Sequence, residues 1–234
     1  MQPFEVPTEL SGFVHTYPAA QDVLTALQSR RPDVRYSIAR LWLSEGIPFA
    51  FKANPSLYEA LRIWLARRFD IQAKQITVIG SGRQGYSLSP NATLGRVFGA
   101  QSDLDMSAIS STFFERLKQA YLRWERDYSG GLVQPRHTRE RDLWNENKRF
   151  CPLGIAHGFI DPHKIPTWWR YPEAQATLDG LWRAHEKLKT TAGAPTLRRI
   201  SLRVYIDWDC FVRQIAISLE AAARYHRSTS PARP

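Results

Sequence analysis

Residues 76–110 read ITVIGSGRQGYSLSPNATLGRVFGAQSDLDMSAIS, and the rest of the chain is organised around them. The stretch opens with the apolar run Ile76–Ile79, which ends at Gly80-Ser81. It closes with Asp103-Leu104-Asp105 at the head of a second apolar run. Side chains alternate along a strand, so Asp103 and Asp105 project from one face. Two like charges side by side repel, and a fold that keeps them usually supplies a cation. The pattern therefore predicts a divalent metal site facing a Gly-Ser phosphate-binding turn.

Upstream, Pro18 opens a predicted helix over 19–31, which Pro32 stops. Asp33 caps a second predicted helix over 34–45, ended by Gly46. Asn54-Pro55 is a helix start, a cap followed by Pro at the first position. The helix SLYEALRIWLARRF, 56–69, places Leu57, Leu61, Trp64 and Leu65 at helical spacing, as core residues. Downstream, Ser111 or Thr112 caps a helix that ends at Gly130-Gly131. Residues 132–150 are polar and charged, a solvated helix or a lid. Residues 151–171 read as a loop with a short strand. A helix over 172–189, a strand over 199–206 and a last helix from Asp207 to Tyr225 complete the order. The tail from 226 to 234 reads as disordered. This order predicts an α/β fold, a small mixed sheet flanked by helices, with additional N- and C-terminal helices.

The 234 residues suit one large domain or a domain with an attached helical lobe. No uncharged run approaches the ~20 residues a membrane span needs. MQPFEVPTEL has no basic segment followed by an apolar one, so no secretory signal is expected. Cys151 and Cys210 lack metal-like spacing, and a reducing cytoplasm is the expected compartment. The net charge of +10 favours an anionic partner, against the plainer reading of a solubilising basic surface.

Gly80, Gly82 and Gly85 satisfy a G-x-G-x-x-G spacing, but Pro90 soon breaks any helix and no second βα unit follows. His157, Asp161 and His163 form a loose metal-like triplet, weighed against plain loop residues. Ser87 with His157 lacks a nucleophile elbow. Trp168-Trp169-Arg170 could stack a base or a single strand, and serves equally well as core or interface.

An apolar residue, Gly and Ser preceding an acidic-x-acidic pair in apolar strands resembles the DNA polymerase β-like nucleotidyltransferase superfamily. The match runs over Ile79-Gly80-Ser81 and Asp103-Leu104-Asp105-Met106, within residues 54–110. The resemblance implies a lead-in over 1–53 and a nucleotidyltransferase-like domain over 54–225. It implies that Gly80, Ser81, Gly82 and Arg83 hold the phosphates of an NTP or dNTP. It also implies that Asp103 and Asp105 bind Mg²⁺ or Mn²⁺ and act in transfer of a nucleoside monophosphate to a hydroxyl acceptor, nucleic acid above all. Two departures stand out. Twenty-one residues separate Ser81 from Asp103, an enlarged loop that would fold as a hairpin over the site, with Arg96 in it. The third carboxylate, expected near Ser201, is missing, leaving Asp161, Asp207 and Asp209 as candidates. A protein without it would act as a nucleotide or nucleic-acid sensor, or as a partner in a toxin–antitoxin or phage-defence complex of the kind bacterial relatives form. A simple basic DNA-binding protein is a third reading, with steep salt dependence.

Overall fold

The computed structural model describes residues 6–29 and 31–229; the start of the lead-in, 1–5, and the end of the expected tail, 230–234, lie outside them. After Pro18, α1 (Ala20–Ala26) buries Val23 and Leu24. α2 (Pro32–Ser37) begins with Pro32, whose missing N–H would have had no helical partner there. It widens into a π-helical turn over Ile38–Trp42, so the helix expected over 34–45 is not one regular element. α3 (Pro55–Phe69) starts on Pro55 and buries Tyr58, Leu61, Leu65 and Phe69.

β1 (Ile76–Ile79) leads through the single turn α4 (Ser81–Gln84) and a long loop to β2 (Asp103–Ile109). α5 (Ser111–Ser129) is capped by Ser110, whose Oγ accepts from the Phe113 N–H at 3.4 Å. That is one residue earlier than the cap expected at Ser111 or Thr112.

The polar stretch after it becomes a packed helix rather than a lid. α6 (Thr138–Ala156) turns Trp144, Asn147 and Cys151 inward while its charges face out. Proline inside a helix leaves the carbonyl four residues back without its N–H. For Pro152 that carbonyl is Lys148, and the Tyr121 hydroxyl donates to it at 3.4 Å. β3 (Phe159–Ile160), α7 (Pro172–Lys189), β4 (Arg199–Tyr205) and α8 (Trp208–Thr229) follow. α8 runs past the end expected at Tyr225. The hydroxyls of Ser228 and Thr229 bond back to the Tyr225 carbonyl, at 2.8 and 2.9 Å, and hold the last turn.

The four strands form one mixed sheet in the order β1-β2-β4-β3. β2 and β4 are parallel, and the two outer pairings are antiparallel. The fold is thus mixed α/β, a small sheet flanked by helices. One face, with Val78, Leu104, Met106, Leu202 and Val204, packs into a core with α3, α5 and α7. The other face is apolar only at one end. There Ile109 and Tyr205 meet Phe211 and Leu219 of α8, with Val23, Val34 and Ile38 from the N-terminal helices. The remainder of that face carries Asp103 and Asp105 and stays open. Cys151 is buried and its thiol is pushed up to about 12 by burial, so it is inert at neutral pH. No helix among the described residues is long and apolar enough to cross a membrane.

Candidate functional site

Antiparallel pairing sets Ile79 opposite Asp105, so the turn that follows β1 lies beside that carboxylate. Gly80 sits at φ 62°, ψ −148°, a conformation essentially confined to glycine. A Cβ on it would stand 3.1 Å from Asp105 Oδ2. The two ends of the organising stretch therefore meet, and glycine is what lets them. Gly80, Ser81, Asp103 and Asp105 line one cleft of about 370 Å³.

Gly82 and Arg83 do not line it. A Cβ on Gly82 would stand 3.0 Å from Leu104 Cδ1 and 3.1 Å from Val78 Cγ1, so its role is to seat α4 on the sheet. Arg83 is buried and donates from Nε to the Trp42 carbonyl at 3.0 Å and from Nη1 to the Ile47 carbonyl at 2.6 Å. The phosphate contact expected of Arg83 is replaced by a tie between α4 and the N-terminal segment. Its neighbour Gln84 does line the cleft, and Gln84 Oε1 is buried with no hydrogen-bond partner among the described residues.

The loop from Gly85 to Phe98 does fold back as a hairpin, bridged at Tyr86 and Val97. Ser87 N–H donates to the Arg96 carbonyl, and Gly95 N–H to the Ser87 carbonyl, both at 2.8 Å. Its residues Ser87, Ser89, Thr93 and Arg96 form one wall of the cleft, and Ser218 of α8 contributes to the opposite side.

The cation beside the acidic pair is supplied by arginine. Arg198 donates to Asp103 through Nε and Nη2, at 2.8 and 3.0 Å, and Arg199 through Nε at 2.9 Å. Burial pushes the Asp103 carboxyl up, and the two guanidiniums outweigh it, so its net shift is downward. Asp105 behaves oppositely. Burial raises it and the Asp103 charge adds to the rise, against a hydrogen bond from Ser201 Oγ to Oδ1 at 2.6 Å.

Parallel register places Ser201 directly beside Asp105 and Arg199 beside Asp103. Ser201 thus stands beside Asp105, at the place where the resemblance led to the expectation of a third carboxylate. Asp161 is held by Arg203, at 2.8 Å from Nε and 3.2 Å from Nη2. Asp207 accepts from the Cys210 N–H at 2.7 Å, as a helix cap. Asp209 lies in the exposed first turn of α8. Among the described residues no three His, Cys, Asp or Glu side chains are grouped to hold a metal. Three of the four oxygens of the pair accept from guanidinium or hydroxyl, and Asp105 Oδ2, which faces Gly80, accepts from no described group.

The cleft continues past Asp105 into a second arm lined by Asp161, His163, Lys164, Arg199 and Arg203. His157 lies away from Ser87, on the far side of Asp161 from this arm, so that pair is not assembled. Arg198 and Arg199 were not singled out by the sequence. The alternation Arg199, Ser201, Arg203 along β4 marks a polar face, but only the β2–β4 pairing brings it to the acidic pair. No protein-family model, no curated protein and no solved structure matches this chain.

Proposed function

We propose that this chain is a nucleotide-binding protein of the nucleotidyltransferase type that holds the phosphates of an NTP or dNTP, or of a nucleic-acid acceptor, without transferring the nucleotide. One observation carries the reading: Arg198 and Arg199 occupy both oxygens of Asp103 while Ser201 stands beside Asp105. Arg198, Arg199 and the exposed Arg96 bring three cations to the cleft against the two carboxylates of Asp103 and Asp105. A polyphosphate is drawn to such a place, and guanidinium forks match its oxygens. Gly80 and Ser81 border the same space and supply backbone and hydroxyl donors. The protein would then act as a nucleotide or nucleic-acid sensor, or as a partner in a toxin–antitoxin or phage-defence pair.

Transfer remains the second reading, favoured by the contact between the Gly80 turn and Asp105. In it Asp103 and Asp105 would hold Mg²⁺ or Mn²⁺ once the arginines had moved to phosphate. Incubation with α-labelled NTPs and dNTPs plus either metal separates the two. The expected result is binding without labelled product. Replacing both Arg198 and Arg199 by Ala should weaken binding about tenfold or more, the scale of charged hydrogen bonds. Labelled product that disappears in the double variant Asp103→Ala, Asp105→Ala would establish the transferase instead. Absence of any nucleotide binding by the folded protein would sink both readings.

A further inference from the structure

A second pocket, of about 530 Å³, lies between α6, α7 and the loop that joins β3 to α7. That volume is within the ~300–1,000 Å³ typical of small-molecule sites. Trp144, Trp168 and Trp169 line it beside polar residues such as Glu140 and Asn147. Trp169 is 77% exposed yet held in place. The Arg170 guanidinium stacks on its ring at 5.5 Å and is anchored by Asp127 at 3.0 Å.

One polar group inside lacks a partner. Asn147 is only 5% exposed, lines the pocket, and makes no side-chain hydrogen bond among the described residues. Its amide atoms are not among the unpartnered polar atoms shut off from solvent, so they open onto the pocket and are free to pair with a group bound there. Arg136, the pocket's guanidinium, is already spent on Glu140, at 2.8 Å from Nη2 to Oε1. The free polar chemistry of Asn147 is therefore neutral: one planar donor–acceptor edge in a pocket that Trp144, Trp168 and Trp169 also line.

We propose that this pocket is a nucleobase site, with Asn147 reading the base edge and the tryptophans stacking on its faces. The Asn amide offers a coplanar donor and acceptor, the pattern that pairs with adjacent base atoms such as N6 and N7 of adenine. Base–indole stacking supplies the rest. His163 lines both this pocket and the second arm of the acidic cleft. The Lys164 ammonium in that arm forms no hydrogen bond or ion pair among the described residues. The proposal stands apart from the acidic cleft, since a free nucleoside carries no phosphate for the arginines.

Ligand-observed NMR with adenosine, guanosine, cytidine and uridine tests it, with N-acetyltryptophanamide as an aromatic control. At least one nucleoside should bind more tightly than the control. Asn147→Leu should weaken it about tenfold or more, and Trp169→Ala, at an exposed position that the fold does not need, should weaken it too. The Asp103→Ala, Asp105→Ala variant should bind it unchanged. The proposal is overturned if no nucleoside binds the folded protein, or if the control binds equally well. It is also overturned if Asn147→Leu and Trp169→Ala are both without effect, or if the acidic-pair variant loses the nucleoside.

Discussion

Asp105 is held against its own preference. Burial raises its carboxyl above the ordinary value, and the nearby Asp103 charge works in the same direction. A raised folded-state pKa means that the folded protein binds this proton more readily than the unfolded chain does. Stability is therefore lost as pH climbs from the unfolded carboxyl's value, about 3.9, through the folded one. Asp105→Asn removes that titration and can still accept from Ser201. The variant should melt higher than the parent at pH 7, with the gap closing as pH falls towards 4. Thermal melts across that range check it, and a gap independent of pH would refute the assignment. Much of this was legible at the residue scale. Alternation along a strand put Asp103 and Asp105 on one face, and a glycine before serine marked the turn that touches them. Arg198 was not legible, because it reaches Asp103 across 95 residues of sequence through a parallel pairing with no local mark. Arg83 misled for the related reason that a basic residue next to a phosphate-like turn can equally point inward, to the carbonyls of Trp42 and Ile47.

Among the elements, α6 shows why composition alone misses a packed helix. Its charges dominate the sequence, and a few inward residues decide its place. Pro152 adds an apparent break, but the freed Lys148 carbonyl is taken by Tyr121 of α5. This bond makes a coupled prediction. Tyr121→Phe should cost about 1 kcal/mol, the net worth of one hydrogen bond. In a Pro152→Ala background the new N–H can serve the carbonyl, and the same Tyr121→Phe change should cost less. Urea denaturation of the four proteins in a double-mutant cycle measures the difference. Equal costs in both backgrounds would show that the hydroxyl does not substitute for the missing amide. The helices with regular apolar spacing, α3 and α7, needed no such compensation and were readable from the sequence.

Across the whole molecule, β2 and β4 serve two cores at once. Leu104 and Met106 face the core of α3, α5 and α7, while Ile109 and Tyr205 belong to the core of α8 and the N-terminal helices. The acidic cleft lies on the second face, where that core stops short, so its geometry depends on α8 staying docked. Phe211 is fully buried there and meets Tyr205 edge-on at 5.2 Å between ring centroids. Phe211→Ala should destabilise by ~3–5 kcal/mol, the usual cost of emptying an aromatic site in a core. Because the strands are shared, the loss should move one common transition instead of opening a separate one. Trp208 meets Phe211 edge-on and Trp42 packs on the same core. In a Trp42→Phe, Trp208→Phe background the remaining buried tryptophans, Trp124 and Trp144, therefore report on the first core, while far-UV circular dichroism reports on all helices. In urea the two signals should shift together in Phe211→Ala. An early circular-dichroism phase with unchanged tryptophan fluorescence would mean that α8 and the N-terminal helices unfold alone. The cleft would then be assembled by a detachable layer, and nucleotide affinity should fall in Phe211→Ala under conditions where the first core is intact.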